Sequence, residues 1–231
     1  MEDLSIVLPA FKKGFVLEKV LKEIYLSFPE AEILVVDDNS PDNTFEIVQK
    51  TQKEIANIKY FQNEKNFGKG YSLKKGILNA SREYIVFTDA DLPYGIEGIE
   101  RIYQKLKEGE KIVIGKRKQY LNDPLLKKVC RPFLYFLLKI ILGLKYSDTQ
   151  CGLKGFSQDI AKKIFSLTFI NRFAIDVEVL YLAHLLKIKV SEVEVELKNT
   201  NGVSTFNFKD FLRVFFDLLR IKLHHYEIGE T

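Results

Sequence analysis

The sequence is poor in the residues that most often carry redox, zinc or nucleophilic chemistry. Two cysteines, Cys130 and Cys151, occur in 231 residues. They form no C-x-x-C pair and no disulfide framework, which points to a reducing compartment. The three histidines, His184, His224 and His225, offer no zinc-ligand spacing. The G-x-S-x-G elbow and the G-x-x-x-x-G-K-[ST] phosphate loop are both missing. No uninterrupted apolar run approaches the ~18 residues of a membrane span. The start, Met1-Glu2-Asp3, is acidic and leads straight into a strand-like segment, so no secretory leader is expected. Internal repeats, low-complexity tracts and an interdomain linker are also missing.

Charge of one sign is not in excess either. Lys+Arg is 35 and Asp+Glu 31, a net +4 that does not imply nucleic-acid binding. Hydrophobic residues at 46% and charged residues at 29% describe an ordinary globular chain. The length fits one large domain or two small ones. The charge is unevenly placed: Lys111, Lys116, Arg117, Lys118, Lys127, Lys128 and Arg131 face a single acid, Asp123, within one window. A basic window beside apolar sequence suits an anionic partner near a surface, or else a solvated lysine-rich loop.

The first half alternates strand and helix signals. Strands are expected at 4–8, 33–36, 58–61, 84–88 and 112–114, with helices at 15–26, 45–55, 68–80 and 96–106. Such alternation predicts an α/β fold with a mostly parallel sheet covered on both faces. Ligands then sit beyond the carboxyl ends of the strands. Those ends carry Pro9-Ala10, Asp37-Asp38, Asp89-Ala90-Asp91 and Gly115-Lys116-Arg117. In the second half, the apolar stretch 133–144 is too short to span a bilayer and fits a buried or interfacial helix. Residues 152–156 read as a strand, 177–186 as a helix and 188–197 as a half-exposed strand. Phe208, Phe211, Leu212, Phe215 and Leu219 fall on one helical face.

Asp89-Ala90-Asp91 is the sharpest constellation. Two carboxylates one residue apart at a strand end can converge on Mg²⁺ or Mn²⁺, with phosphate oxygens completing the shell. A plain turn or helix cap is the bland reading. Asp37-Asp38-Asn39-Ser40-Pro41-Asp42 can hydrogen-bond a nucleoside, cap the following helix, or do both. Asn66-Phe67-Gly68-Lys69-Gly70 places two glycines and a lysine ahead of a helix, where backbone amides can meet phosphate.

Taken in order, Ser5-Ile6-Val7-Leu8-Pro9-Ala10-Phe11, Val35-Val36-Asp37-Asp38-Asn39-Ser40-Pro41-Asp42, Asn66-Phe67-Gly68-Lys69-Gly70, Asp89-Ala90-Asp91-Leu92 and Gly115-Lys116-Arg117 resemble a family-2 glycosyltransferase of the GT-A fold. The acidic runs resemble dolichyl-phosphate mannose synthases. Asp148-Thr149-Gln150-Cys151-Gly152-Leu153-Lys154-Gly155-Phe156 and Phe173-Ala174-Ile175-Asp176-Val177-Glu178-Val179 resemble dolichyl-phosphate glucosyltransferases. The resemblance implies a Rossmann-like, mostly parallel sheet flanked by helices, with an amphipathic C-terminal helix. It implies a catalytic domain over 1–205, divided into a nucleotide-sugar half, 1–117, and an acceptor half, 118–205. Residues 206–231 would lie on a membrane surface.

The resemblance also assigns roles. Pro9, Ala10, Phe11, Asp37, Asp38 and Ala90 would line the nucleotide-sugar pocket, with Lys69 near the diphosphate. Asp89 and Asp91 would hold Mg²⁺ or Mn²⁺. Arg117 and Arg131 would receive the acceptor phosphate, and Asp148 and Asp176 would orient sugar or acceptor. Lys13 departs from the family pattern, because an acid is common there, as does Pro93, where a polar residue is usual. The function implied is inverting transfer of a hexose from a nucleotide-sugar, UDP-glucose ahead of GDP-mannose, to dolichyl or polyprenyl phosphate. The enzyme would sit peripherally on the cytoplasmic face of a membrane, bind no nucleic acid, and leave open a homo-oligomer or a membrane-protein partner. The rivals are a family-2 transferase with a soluble sugar acceptor and a non-catalytic nucleotide-sugar-binding subunit.

Overall fold

The computed structural model describes residues 2–118, 137–198 and 208–228, with side chains described throughout except over 208–214. Arg131 and the start of the 133–144 stretch lie outside the described residues.

The chain runs β1 (Leu4–Ala10), α1 (Gly14–Ser27), β2 (Glu32–Asp37), α2 (Thr44–Gln52), β3 (Ile58–Gln62), α3 (Lys69–Asn79), β4 (Tyr84–Phe87), α4 (Gly95–Lys107) and β5 (Ile112–Arg117). It continues through a helical stretch at 137–142 to β6 (Lys154–Ser157), α5 (Gln158–Leu167), α6 (Ile175–Leu185), β7 (Val190–Val195) and α7 (Phe208–Leu223). The strands form one seven-stranded sheet in the order β3-β2-β1-β4-β6-β5-β7. Every pairing is parallel except those of β6, which runs antiparallel between β4 and β5. The amino end of β6 therefore lies among the carboxyl ends of its neighbours, with Lys154 opposite both Phe87 and Ile114.

Alternation along the strands feeds two cores. Leu4, Ile6 and Leu8 of β1 pack with Leu17, Leu21, Val48 and Ile99, beneath α1, α2 and α4. Val7 and Leu34 face the other way, toward α3, α5 and α6. Burial on both sides explains why β2 is buried at all six positions and why Ile33 to Val36 form a continuous apolar run. Pro9 lies within β1, yet β4 pairs no further than Val7, so proline's missing N–H breaks no two-sided ladder. Helix α6 is buried along nearly its whole length, and its buried residues include the acids Asp176 and Glu178 beside apolar ones. Helix α5 has no counterpart in the sequence reading, although Ala161, Ile164 and Phe165 give it a buried stripe.

The C-terminal helix is present where expected. Leu218 and Ile221 are buried in the core, whereas Phe215 and Leu219 are only half-buried. In the 137–144 region Leu138, Leu142 and Leu144 are also core residues. Both segments thus contribute side chains to the core, while Ile140, Phe216 and Leu223 remain exposed.

Candidate active site at the carboxyl ends of the strands

The loops leaving β1 and β2 are tied to one another. Lys12 adopts a left-handed backbone, φ 57°, and its N–H donates to Ser40 Oγ at 2.9 Å. Asp42 accepts from the Thr44 hydroxyl at 2.6 Å and from the Gly14 N–H at 3.2 Å, so it supports the starts of α1 and α2 together. Asp37 accepts the Ser40 N–H at 2.9 Å and the Tyr60 hydroxyl at 2.8 Å. Burial, and then the Asp37 carboxylate, push the Tyr60 phenol well above its usual range. Asp38 accepts the Asn63 side-chain amide at 2.8 Å and the N–H groups of Phe67 at 2.9 Å and Gly68 at 2.7 Å. Asp38, just past β2, therefore shapes the loop that precedes α3. Beside them, Ala10 is buried, Pro9 half-buried, and the Phe11 ring exposed at the rim.

That loop is pressed against a second one. Gly68 has φ +107°, and a Cβ on Gly70 would stand 2.3 Å from the Ile170 carbonyl. Glycine is required there by conformation and by space. The 169–172 segment is itself fixed by Glu178 of α6, whose carboxylate accepts the N–H groups of Phe169 and Ile170, each at 3.0 Å. Tyr226, beyond α7, donates its hydroxyl to the same carboxylate at 3.0 Å. Burial pushes the Glu178 carboxyl up. Glu178 lies inside a quoted motif, but its role is visible only once these loops meet.

Lys69, Asp89 and Asp176 converge beyond β4. Lys69 Nζ is 2.8 Å from Asp89 Oδ1 and 3.5 Å from Asp176 Oδ2. On the other side of Asp176, Lys154 Nζ is 2.6 Å from Oδ1 and also donates to the Cys151 carbonyl. Burial alone would lower the Lys69 ammonium, but Asp176 and Asp89 outweigh it and raise it. Burial would raise the Asp176 carboxyl, but Lys154 and Lys69 hold it below its usual value. Asp91 is paired with Lys13, Nζ to Oδ2 at 2.5 Å. Sequence reasoning did not single out Lys154, whose only signal was its place in the quoted 148–156 run.

Arg117 ends β5 and meets Asp148 along one edge of its guanidinium. Nε is 2.6 Å from Oδ2 and Nη2 is 2.8 Å from Oδ1. Burial opposes the guanidinium charge, but Asp148 more than compensates, so the proton is held more tightly than usual. The Nη1–Nη2 edge of the fork is not the one Asp148 engages. Cys151 lies beneath, and burial, with Asp148 adding to it, pushes its thiol up to about 11.

The donor set of Asp89 and Asp91 fits a hard divalent cation. Gly152 backs Asp89 so closely that a Cβ there would stand 2.4 Å from Oδ2, which leaves the carboxylate its space. Among the described residues no group of three or more His, Cys, Asp or Glu is placed to hold a metal. A pair of carboxylates that relies on substrate phosphates for the remaining positions is the usual protein share of an Mg²⁺ site. A surface cavity lined by Glu83, Tyr84, Lys111, Ser157 and Asp159 lies at the opposite ends of β4 and β5, apart from this site.

Comparison with known proteins bears on the family and the fold. The profile described as "Glycosyl transferase family 2" matches residues 5–165. The chain is 30% identical to a dolichyl-phosphate beta-glucosyltransferase of Dictyostelium discoideum, over 96% of this chain and 74% of the relative. It is 32% identical to one from Trichomonas vaginalis, over 96% and 73% respectively. The human protein of the same name is 28% identical, over 97% and 76%. Among solved structures, glucosyl-3-phosphoglycerate synthase from Mycobacterium tuberculosis in complex with UDP superposes with a TM-score of 0.72 at 19% identity, covering 95% of this chain and 79% of that one. The same enzyme with Mn²⁺, UDP and glucosyl-3-phosphoglycerate gives 0.72 at 18% identity, covering 99% and 81%. At such identities the likeness concerns the fold, which is the GT-A fold.

Proposed function

The chain belongs to glycosyl transferase family 2, and on that premise we infer that it transfers glucose from UDP-glucose to dolichyl phosphate. The observation that carries this reading is the match, over almost the whole chain and about three-quarters of the relatives, to dolichyl-phosphate beta-glucosyltransferases. The α-linked donor and a β-linked product require inversion at the anomeric carbon, achieved by one in-line displacement.

The residues of the site suit that step. Asp89 and Asp91 would hold Mg²⁺ or Mn²⁺, which supplies charge neutralisation on the departing diphosphate. Lys69 stands within reach of Asp89 and turns to the diphosphate when the donor enters. Asp38 holds the loop that carries Lys69, and Phe11 offers a ring to the base. Arg117, aimed by Asp148, presents its remaining edge to the acceptor phosphate, with Arg131 as its partner. A phosphate monoester has its second pKa near ~6, so it arrives as an anionic nucleophile and needs a holder more than a base. Asp176 orients Lys69.

The acceptor's lipid places the enzyme at a membrane surface, and we assign it peripherally to the cytoplasmic face. No helix of the described residues is long and apolar enough to cross a membrane. Exposed Ile140, Phe216 and Leu223, with Arg220 and Lys222 nearby in sequence, support a shallow contact.

The deciding assay supplies Mg²⁺, labelled UDP-glucose or GDP-mannose, and a polyprenyl phosphate. Glucose label should enter the lipid, and transfer should vanish in EDTA and in Asp89→Ala or Asp91→Ala. Label entering only from GDP-mannose, or only into a soluble sugar acceptor, would overturn the reading. Full transfer in EDTA would overturn its metal.

A further inference from the structure

Lys13 breaks a local rule. It occupies the N-cap position of α1, and the first turn of that helix has no acidic residue. The amino end of a helix carries partial positive charge, so an ammonium there is disfavoured, and a lysine side chain caps nothing. Residues that break local rules without local gain mark places where tertiary structure or function sets the choice.

The gain is found on β4's loop. The Lys13 ammonium pairs with Asp91, 78 positions away, at 2.5 Å. The backbone around it is clamped: the Lys12 N–H reaches Ser40 Oγ at 2.9 Å and the Lys13 N–H reaches Thr44 Oγ1 at 3.2 Å. The opposing loop is also fixed in shape, since Leu92 takes φ 44° and its N–H donates to the Asp89 carbonyl at 3.0 Å. Asp89 has a lysine of its own, Lys69, at 2.8 Å. Each carboxylate of the pair thus already has a cation, delivered from a different element. Counting Lys154 with Asp176, three ammonium groups face three carboxylates among the described residues, and these six side chains balance in charge before any ligand arrives.

That balance has a consequence for binding order. A divalent cation entering alone would add two charges to a neutral cluster and release ammonium groups with nothing to meet. A sugar-linked diphosphate brings two negative charges, which cancel those of the cation and give the released lysines phosphate oxygens to pair with. We propose that Lys13 is the resident counter-cation of Asp91 and makes divalent-metal binding conditional on the donor's diphosphate. This deepens the reading of Asp89 and Asp91 as the metal pair and rests on it.

The test is Mn²⁺ binding, followed by electron paramagnetic resonance or calorimetry, with and without saturating UDP-glucose and with no acceptor present. The wild-type chain should bind Mn²⁺ weakly alone and much more tightly with UDP-glucose. In Lys13→Met, Mn²⁺ alone should bind about fivefold tighter or more, the lower end of ordinary coupling between sites. The tightening caused by UDP-glucose should shrink by at least the same factor. Lys13→Gln should repeat this result and Lys13→Arg should behave as wild type, while far-ultraviolet circular dichroism and melting confirm that each variant is folded. If Lys13→Met binds Mn²⁺ alone no better than wild type while UDP-glucose still tightens Mn²⁺ in both, the role of Lys13 is overturned and the metal pair stands. If wild type binds no Mn²⁺ even with UDP-glucose, the metal pair itself falls and this inference falls with it.

Discussion

Lys154 and Asp176 meet at 2.6 Å, and the lysine side chain has no exposed surface at all. An ammonium in that position is tolerated because the carboxylate and the Cys151 carbonyl replace its water. Lys154→Met leaves Asp176 facing Lys69 alone, at 3.5 Å. Breaking a buried pair on one side costs ~3–5 kcal/mol. Urea denaturation should report a loss of that size, and calorimetry should report weaker UDP-glucose binding as Lys69 is drawn toward Asp176. A variant as stable as wild type would show that the pair does not hold this part of the site.

Arg117 and Asp148 should behave as a unit. A double-mutant cycle with Arg117→Ala and Asp148→Ala should give a coupling of about 1–3 kcal/mol in denaturation, as for other contacting charged pairs. Arg117→Ala should also cut transfer to lipid steeply while UDP-glucose affinity stays near wild type. Arg117→Lys should not rescue transfer, because a point charge cannot hold Asp148 along one edge and a phosphate along the other. Loss of donor affinity in step with activity would place Arg117 in the donor site instead.

Glu32 offers a test of fold stability away from the chemistry. Ser5 and Lys59 each approach it at 2.5 Å, and the Ser81 N–H and hydroxyl each donate at 2.8 Å. Burial opposes ionisation, but Lys59 and the serines prevail, and the carboxyl is lowered from 4.5 to about 2. A folded-state value below the unfolded one stabilises the fold above pH 4.5, and that contribution is lost as pH falls toward 2. Glu32→Gln should therefore be less stable at neutral pH and should lose less stability than wild type on acidification through this window. Parallel acid titration curves for the two proteins would contradict the assignment.

Membrane contact should depend on the exposed apolar side chains of the second half. The protein should float with anionic vesicles, and added salt should weaken the association. Ile140→Glu, Phe216→Glu and Leu223→Glu should each reduce flotation while changing stability by less than about 0.5 kcal/mol, since these side chains lie outside the core. Variants that float as well as wild type would show that these helices serve packing alone.

What the sequence determined by itself was whatever is local. Short apolar runs bounded by turn residues placed β1 to β5, and apolar spacing near four placed α1 to α4, within a few residues, because burial against the sheet sets both patterns between near neighbours in sequence. The turn clusters after β2 and β4 marked the ligand end for the same reason. Helix α5 escaped notice although Ser157 stands at its N-cap and Asp159 in its first turn, because β6 runs straight into it with no turn cluster between. Tertiary structure alone decided how charges are partnered. Asp37 and Asp38 turned inward to hold loops, Asp148 turned to Arg117, and Lys154 entered the site because β6 runs antiparallel between β4 and β5. Lys69 finds Asp176 at a separation of 107 residues, and Lys13 finds Asp91 at 78. Pairings over such distances follow from strand order and helix placement, which bring together residues that no local pattern connects.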